Sequence, residues 1–195
     1  MLTEQQGKVL VRLARQTLEK ELGRPLSAPV TEQDLDDSEL RQHRGVFVTL
    51  KLHGVLRGCI GSLLGVEPIL DGVRRHAVNA ALHDRRFPVL TADELPRVRI
   101  EVSVLTPPQN VKYTDGADLL CQLRPGIDGV ILKVPGGPGA TFLPQVWEEL
   151  PEPENFLEQL CRKAGLPEDS WQSGELTVQS YQVRHFDEQE LQEQL

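Results

Sequence analysis

The chain has few cysteines, few aromatic residues and no long apolar run, and each shortage excludes a class of protein. Its three cysteines, Cys59, Cys121 and Cys161, are odd in number and lack C-x-x-C spacing, so we predict neither a disulfide framework nor a structural zinc site. No stretch approaches the roughly 20 apolar residues of a membrane-spanning helix. The N-terminal segment also lacks an apolar run of signal-peptide length, so we expect a cytoplasmic protein without a membrane partner.

Basic residues are outnumbered by acidic ones. The sequence holds 21 Lys and Arg against 29 Asp and Glu, a net charge of −8, and only 5% of its residues are aromatic. Nucleic-acid affinity depends largely on clustered Lys and Arg, and no nucleic-acid-binding motif is present, so we expect no nucleic-acid partner. The acidity is uneven, because residues 1–100 hold 15 basic and 13 acidic residues whereas residues 101–195 hold 6 and 16. The first half therefore leaves room for a local site that accepts an anion.

Motifs for cofactors and metals are also missing. The glycine-rich segment PGGPG at 135–139 lacks the Lys-Ser/Thr pair of a phosphate-binding loop and is typical of a flexible turn. The histidines His76, His83 and His185 are scattered along the chain without a matching set of metal ligands. We therefore expect no cofactor and no metal site.

The length and the hydrophobic periodicity together predict the fold class. A chain of 195 residues can bury roughly 70% of its unfolded surface, so we expect one domain over residues 1–195. Helices and strands do not alternate regularly, which favours an α+β fold with a compact mixed sheet and packed helices. The periodicity predicts helices at 3–22, 67–82, 115–123 and 154–164, and strands at 45–52, 55–63, 99–105, 129–134 and 175–184.

The densest candidate for chemistry is the segment LRGCIG at 56–61. In a strand, the two-residue period places Arg57, Cys59 and Gly61 on one face. A guanidinium beside a thiol favours the thiolate, and Gly58 and Gly61 let a ligand or another backbone approach closely. The same residues also have structural interpretations. Cys59 can be a small buried residue, the glycines can be packing positions, and Arg57 can reach solvent or pair with a carboxylate instead of an anionic ligand.

Three further residues are candidates for the same site. Asp84 and Arg86 lie in a predicted turn after a helix, and Arg86 can join Arg57 around a small anionic ligand, because planar guanidinium groups suit carboxylate and phosphate. The alternative is that Asp84 caps local backbone or pairs with an arginine. His53, in the predicted hairpin turn, is a weak candidate for a base toward Cys59 and is otherwise an exposed turn residue.

The run FVTLKLHGVLRGCIGSL resembles the AMMECR family, known in prokaryotes as protein A of the AmmeMemoRadiSam systems. The signature hexapeptide of that family falls on residues 56–61, and its second patch, usually Asp-Pro-Arg-Phe-Pro, falls on residues 84–88, where this chain has Arg85 in place of proline. All matches together span residues 45–185. The further matches are HDRRFPVL at 83–90, IEVSVLTPP at 100–108, GVIL at 129–132, TFLPQVW at 141–147 and LCRKAGLP at 160–167.

The resemblance implies a fold and partners but no particular reaction. The implied fold is one compact AMMECR-like α+β domain, with a larger lobe built from both chain ends and a smaller lobe between them. The implied partners are a Memo-type protein and a radical SAM protein of the same system.

Two hypotheses about function follow from the residues and the resemblance. In the first, the protein is a ligand- or partner-binding component of a pathway that involves the Memo-type and radical SAM proteins. The absence of paired carboxylates and of a triad order fits this hypothesis. In the second, the protein is a cysteine-dependent enzyme in which Cys59 is the nucleophile and Arg57 and Arg86 anchor a small anionic substrate.

Overall fold

The computed structural model describes residues 2–188, and these residues form two compact units. Unit 1 combines the chain up to Leu105 with the segment that starts at Arg184, and unit 2 spans Thr106–Val183. This is the arrangement implied by the resemblance, with a larger lobe from both chain ends and a smaller lobe between them. The predicted α+β class is confirmed.

Within residues 2–188 the chain forms five α-helices and eight strands, joined by loops and short 3₁₀ turns. The helices are α1 (Glu4–Glu21), α2 (Glu32–Leu35), α3 (Ile69–Leu82), α4 (Gly116–Gln122) and α5 (Pro153–Lys163). The strands are β1 (Val46–Leu52), β2 (Val55–Ser62), β3 (Val98–Leu105), β4 (Gln109–Val111), β5 (Gly129–Lys133), β6 (Gly139–Phe142), β7 (Thr177–Tyr181) and β8 (Val183–Asp187).

The sheet of unit 1 has the strand order β2-β1-β3-β8, so β2 is an edge strand. The alternation of β1 places Val46, Val48 and Leu50 in the core. Helices α1 and α3 pack against this face, and their buried residues belong to the same hydrophobic cluster as those of β1. The opposite face, which we call the outer face, carries the alternate side chains of β1, among them Thr49 and Lys51.

A two-residue turn joins β1 to β2 and sets their register. His53 and Gly54 both have positive φ angles, 52° and 81°. This is the signature of a type I′ turn, whose twist matches that of an antiparallel hairpin. Leu52 therefore lies opposite Val55, and the predicted hairpin is confirmed.

Unit 2 has its own sheet, in the order β4-β7-β5-β6, and its own core. The indole of Trp147 stacks on the ring of Phe156 of α5, with ring centroids 3.7 Å apart. The indole Nε1–H also donates a hydrogen bond of 2.7 Å to the carbonyl of Asp128, which satisfies its polar group in the core.

The observed strands differ from the predicted ones in two respects, their arrangement and their number. The strands form two antiparallel sheets, one in each unit, where the sequence predicts one mixed sheet. The strand predicted at 175–184 is two strands, β7 and β8, separated by Gln182. Gln182 leaves the ladder because it exchanges hydrogen bonds of 2.8 Å with the backbone N–H and the hydroxyl of Thr106. None of the helices found between residues 2 and 188 is long and apolar enough to cross a membrane.

Candidate functional site

A β-bulge at Arg57 interrupts the period of β2. Leu50 pairs with Gly58, but the next residue of β1, Lys51, pairs with Leu56, so Arg57 is an extra residue in β2. A bulge bends its strand and redirects the side chain of the inserted residue. The simple alternation that groups Arg57 with Cys59 on one face therefore does not continue through this point.

The guanidinium of Arg57 is held by the segment that follows residue 87. Its Nε and Nη2 donate to the two carboxylate oxygens of Glu94 at 3.2 and 3.3 Å, and its Nη1 donates to the carbonyl of Pro88 at 2.8 Å. The side chain is only 11% exposed. Arg57 is thus the partner of a carboxylate, and an anionic ligand would have to displace Glu94 from it.

The two glycines of the motif are packing positions. A Cβ on Gly58 would lie 2.2 Å from the carbonyl oxygen of Ala80, so the backbone of α3 rests directly on β2 there. A Cβ on Gly61 would lie 2.2 Å from the ring of Phe47. Of the two predicted alternatives, a ligand or another backbone, it is the backbone of α3 that approaches Gly58, and a protein side chain fills the space beside Gly61.

Asp84 and Arg86 hold the backbone of Cys59 at the open edge of β2. Oδ2 of Asp84 accepts a hydrogen bond from the N–H of Cys59 at 2.9 Å, and Nη2 of Arg86 donates to the carbonyl of Cys59 at 3.1 Å. Arg86 also donates to both carboxylate oxygens of Asp84, at 2.8 and 2.9 Å. We call this arrangement the Asp84–Arg86 clasp, and it satisfies edge groups that would otherwise be open to another strand.

The clasp places a strong ion pair beside the cysteine. The hydrogen bonds from Arg86 hold the pKa of the Asp84 carboxyl far below its ordinary value, although the burial of this carboxyl opposes the shift. The carboxylate in turn raises the pKa of Arg86, with a smaller contribution from Cys59. The cation that contacts Cys59 is therefore Arg86, whereas the strand period predicts Arg57 in that place.

The thiol of Cys59 is half-buried and has a hydroxyl neighbour. The Thr49 hydroxyl lies opposite in the register and donates to Sγ over 3.3 Å. His53 is exposed at the hairpin turn, four residues and about 13 Å along the chain from Thr49, the residue opposite Cys59. Among residues 2–188, neither a carboxylate nor an imidazole is hydrogen-bonded to Sγ. The pairing of nucleophile and base that a cysteine enzyme needs is thus not formed with His53.

A row of polar side chains that the sequence does not predict continues from Cys59 across the outer face. Thr49 lies between Cys59 and Glu101 in the register of the sheet. Glu101 accepts a hydrogen bond of 2.8 Å from Lys51 and lies 3.3 Å from Nδ1 of His185. His185 and Lys51 lower the pKa of the Glu101 carboxyl from its ordinary 4.5 to about 2. The row follows from the register of β1 with β3, and this register cannot be read from a single sequence.

Ser103 lies next to this row, and its geometry excludes a catalytic triad. Its hydroxyl is 2.9 Å from Nδ1 of His185, the same ring nitrogen that faces Glu101. A triad needs the acid and the nucleophile on opposite nitrogens of the imidazole. Within the described part of the chain, no group of three or more His, Cys, Asp or Glu side chains could hold a metal ion.

The fold and the site define an α+β protein of two lobes, with a half-buried cysteine clasped at the edge strand of the larger lobe. The AMMECR1 family model matches residues 11–186. The chain belongs to this family, and the resemblance stated from the sequence is confirmed.

Relatives and a solved structure agree with this membership over nearly the whole chain. A protein of Methanothermobacter thermautotrophicus is 40% identical over 190 residues, which cover 96% of each chain. A protein of Thermofilum pendens is 39% identical, over 95% of this chain and 91% of its own. The crystal structure of an uncharacterized protein from Pyrococcus horikoshii superposes with a TM-score of 0.72 at 32% identity, over 96% of this chain and 93% of the other.

Proposed function

We propose that this protein is a binding component of a modification pathway that involves a Memo-type protein and a radical SAM protein, and that it docks a protein partner at the hairpin end of β2. The observation that carries the proposal is a group of exposed apolar side chains at that end. Val55, Leu56 and Val89 are 69%, 40% and 61% exposed. Exposed apolar groups that lie together mark interaction surfaces in proteins of this size.

Arg57 links the two chain segments that carry these three exposed side chains, which we call the hairpin patch. Val55 and Leu56 directly precede Arg57, and the Arg57 guanidinium binds the carbonyls of Pro88 and, at 3.5 Å, Val89. The two segments of the patch are therefore held together by the contacts of Arg57, including its ion pair with Glu94. Exposed apolar residues at the end of an edge strand offer a partner a hydrophobic surface.

The polar groups near Cys59 also favour binding over catalysis. Arg57 is paired with Glu94, and Asp84 is paired with Arg86. Each of these side chains supports backbone geometry, so a reaction would first have to break the contacts that shape the site. A docking role needs no such rearrangement.

The test is a binding measurement with purified proteins of the same organism. Biolayer interferometry would compare the wild type with Val55→Asp and Val89→Asp against the Memo-type protein and against the radical SAM protein. A charge at a contact in the centre of an interface typically costs at least tenfold in affinity. Val66→Asp is the matched control, because Val66 is 65% exposed but lies beyond the other end of β2, about 23 Å along the strand.

We expect both patch variants to lose at least tenfold in affinity for one of the two partners and Val66→Asp to stay within twofold. The proposal is overturned if the wild type binds neither partner. It is also overturned if Val66→Asp weakens binding as much as the patch variants do.

The second candidate function is a cysteine-dependent enzyme acting on a small anionic substrate. The observation in its favour is the half-buried Cys59 thiol with the Thr49 hydroxyl at 3.3 Å and the Arg86 guanidinium nearby. Alkylation with iodoacetamide, followed for each cysteine by mass spectrometry, tests it. Exposed Cys121 and buried Cys161 are internal references in the same molecule.

An activated thiol at position 59 should react faster at pH 7 than Cys121, although Cys121 is more accessible. A rate equal to or below that of Cys121 would exclude the nucleophile role. The burial of Cys161 raises the pKa of its thiol, so this residue should react slowest in either case.

A further inference from the structure

Unit 1 contains a second concave site, away from the hairpin patch. This cavity has a volume of about 600 Å³ and lies between α1, the segment that follows it, and the start of β3. The volume falls within the range typical of small-molecule sites. We call it the arginine cavity, because four of its lining residues are arginines: Arg15, Arg24, Arg97 and Arg99.

The carboxylates in the wall are already engaged. Glu188 binds the Nε and Nη2 of Arg15 at 2.9 and 2.6 Å. Glu19 accepts hydrogen bonds from the N–H and the hydroxyl of Ser27, at 3.1 and 2.6 Å. Both carboxylates in the wall are therefore bonded to groups of the protein itself.

Two of the arginines are fixed by the protein and two are available. Nη1 of Arg15 donates to the carbonyl of Leu95, its Nη2 donates to the carbonyl of Val98 as well as to Glu188, and Arg24 donates to the carbonyl of Ala92 at 2.9 Å. In contrast, the exposed guanidinium groups of Arg97 and Arg99 make no hydrogen bond or ion pair with any residue in the described range 2–188. The cavity thus carries excess positive charge on a chain whose net charge is −8.

The remaining wall is apolar. Pro25 and Leu26 line the cavity, and Leu26 is one of the large apolar side chains that remain exposed, at 39%. Charged and apolar surfaces side by side suit a ligand that has both an anionic group and an organic body. Guanidinium groups bind phosphate and carboxylate by paired hydrogen bonds, so these are the anionic groups expected.

We propose that the arginine cavity binds a small organic polyanion, with its phosphate or carboxylate groups on Arg97 and Arg99 and its organic body on Pro25 and Leu26. This site is independent of the hairpin patch. The lining residues all belong to unit 1, and the preformed contacts of Arg15 and Arg24 give the ligand a rigid floor.

The test is isothermal titration calorimetry of the full chain at constant ionic strength, with pyrophosphate, citrate and a nucleoside diphosphate as probes. We expect saturable binding of one molecule per chain for at least one probe. Arg97→Gln and Arg99→Gln should each weaken it about tenfold or more, since hydrogen bonds to charged groups contribute that much. Both residues are exposed, and unchanged thermal unfolding midpoints would show that the variants fold.

The matched control is Arg85→Gln, which removes an exposed arginine that does not line the cavity. It should stay within twofold of the wild type. An equal loss in Arg85→Gln, or no saturable binding of any probe to the wild type, would overturn the proposal.

Two comparisons identify the chemistry of the ligand. Tighter binding of pyrophosphate than of citrate would assign the cavity to phosphates, and the reverse order would assign it to carboxylates. Leu26→Ser should weaken the nucleoside diphosphate more than pyrophosphate, because only the former has an organic body. An equal loss of affinity for both probes would overturn the claim that Leu26 contacts the organic body of the ligand.

Discussion

The Oδ2 atom of Asp84 accepts a hydrogen bond of 2.9 Å from the backbone N–H of Cys59. This contact joins residues 25 positions apart and fixes the edge strand of unit 1 to the turn that follows α3. The clasp explains why Asp84 is buried although it is charged, since a buried carboxylate needs full hydrogen bonding. It also explains why Arg86 is committed to the protein although 58% of its side chain is exposed.

The clasp should contribute measurably to stability. Asp84→Asn keeps the size of the side chain but removes the charge and one of the acceptor oxygens, so we expect a loss of about 2 kcal/mol in the free energy of unfolding. Urea denaturation at pH 7 measures it. Asp93→Asn is the control, because Asp93 is an exposed carboxylate only nine positions further on, and it should change the free energy by less than about 0.5 kcal/mol.

Stability should depend on the ionisation of Glu101. The pKa of its carboxyl in the folded state, about 2, lies below the ordinary 4.5. Between pH 2 and pH 4.5 the folded state therefore binds fewer protons than the unfolded state. This contribution is present above pH 4.5 and is lost as the pH falls toward 2. We expect Glu101→Gln to destabilise the protein at pH 6 and to do so clearly less at pH 3. A difference in unfolding free energy that is the same at both pH values would contradict this assignment.

Two glycine substitutions should have opposite signs. Gly58→Ala forces a Cβ to 2.2 Å from the backbone oxygen of Ala80, and overpacking of this kind costs about 1–3 kcal/mol. Gly72→Ala lies within α3, where the nearest atoms would be 3.5 Å away, so it should stabilise the protein by about 0.5–1 kcal/mol through helix propensity. Thermal unfolding of the two variants checks the pair. A Gly58→Ala protein as stable as the wild type would show that α3 can move away from β2.

The ion pair of Arg57 should hold the segment after residue 87 in place. Arg57→Gln removes the contacts with Glu94 and Pro88, so the backbone amides of residues 89–94 should lose protection in hydrogen exchange. Arg57→Lys should restore little, because an ammonium cannot bind both carboxylate oxygens of Glu94 and a carbonyl in the same geometry. Unchanged protection in both variants would mean that Thr91, which donates to Glu94, suffices to order the segment.

Local sequence signals predicted most elements of the fold. Helix α1 lies within the helix predicted at 3–22 and begins with a capping box of Thr3 and Gln6, and His53 and Gly54 form the predicted hairpin turn. What the sequence did not contain was pairing between distant strands. Strands β4 and β6 are only three and four residues long and lack a clear alternation, so their existence depends on β7 and β5 beside them.

The sequence predicted the contacts inside the candidate site only in part. Asp84 and Arg86 contact the backbone of Cys59, and Asp84 pairs with an arginine, which is one of the two alternatives predicted for it. The partner of Arg57 was missed, because Glu94 stands in an irregular segment without periodicity. A bulge depends on the register of two strands, and one residue of slippage exchanges the faces on which side chains lie.

The position of β8 after unit 2 affects how the protein is made. β8 is the neighbour of β3 in the sheet, but it follows unit 2, so about 80 residues must be synthesised after β3 before β8 exists. At the usual rate of translation this takes roughly 4–16 s. During that interval β3 has an unpaired edge that another nascent chain can join, and the guanidinium of Arg15 has not yet met Glu188. The larger lobe is thus exposed to misassembly on the ribosome until β8, which follows unit 2 in the chain, has emerged.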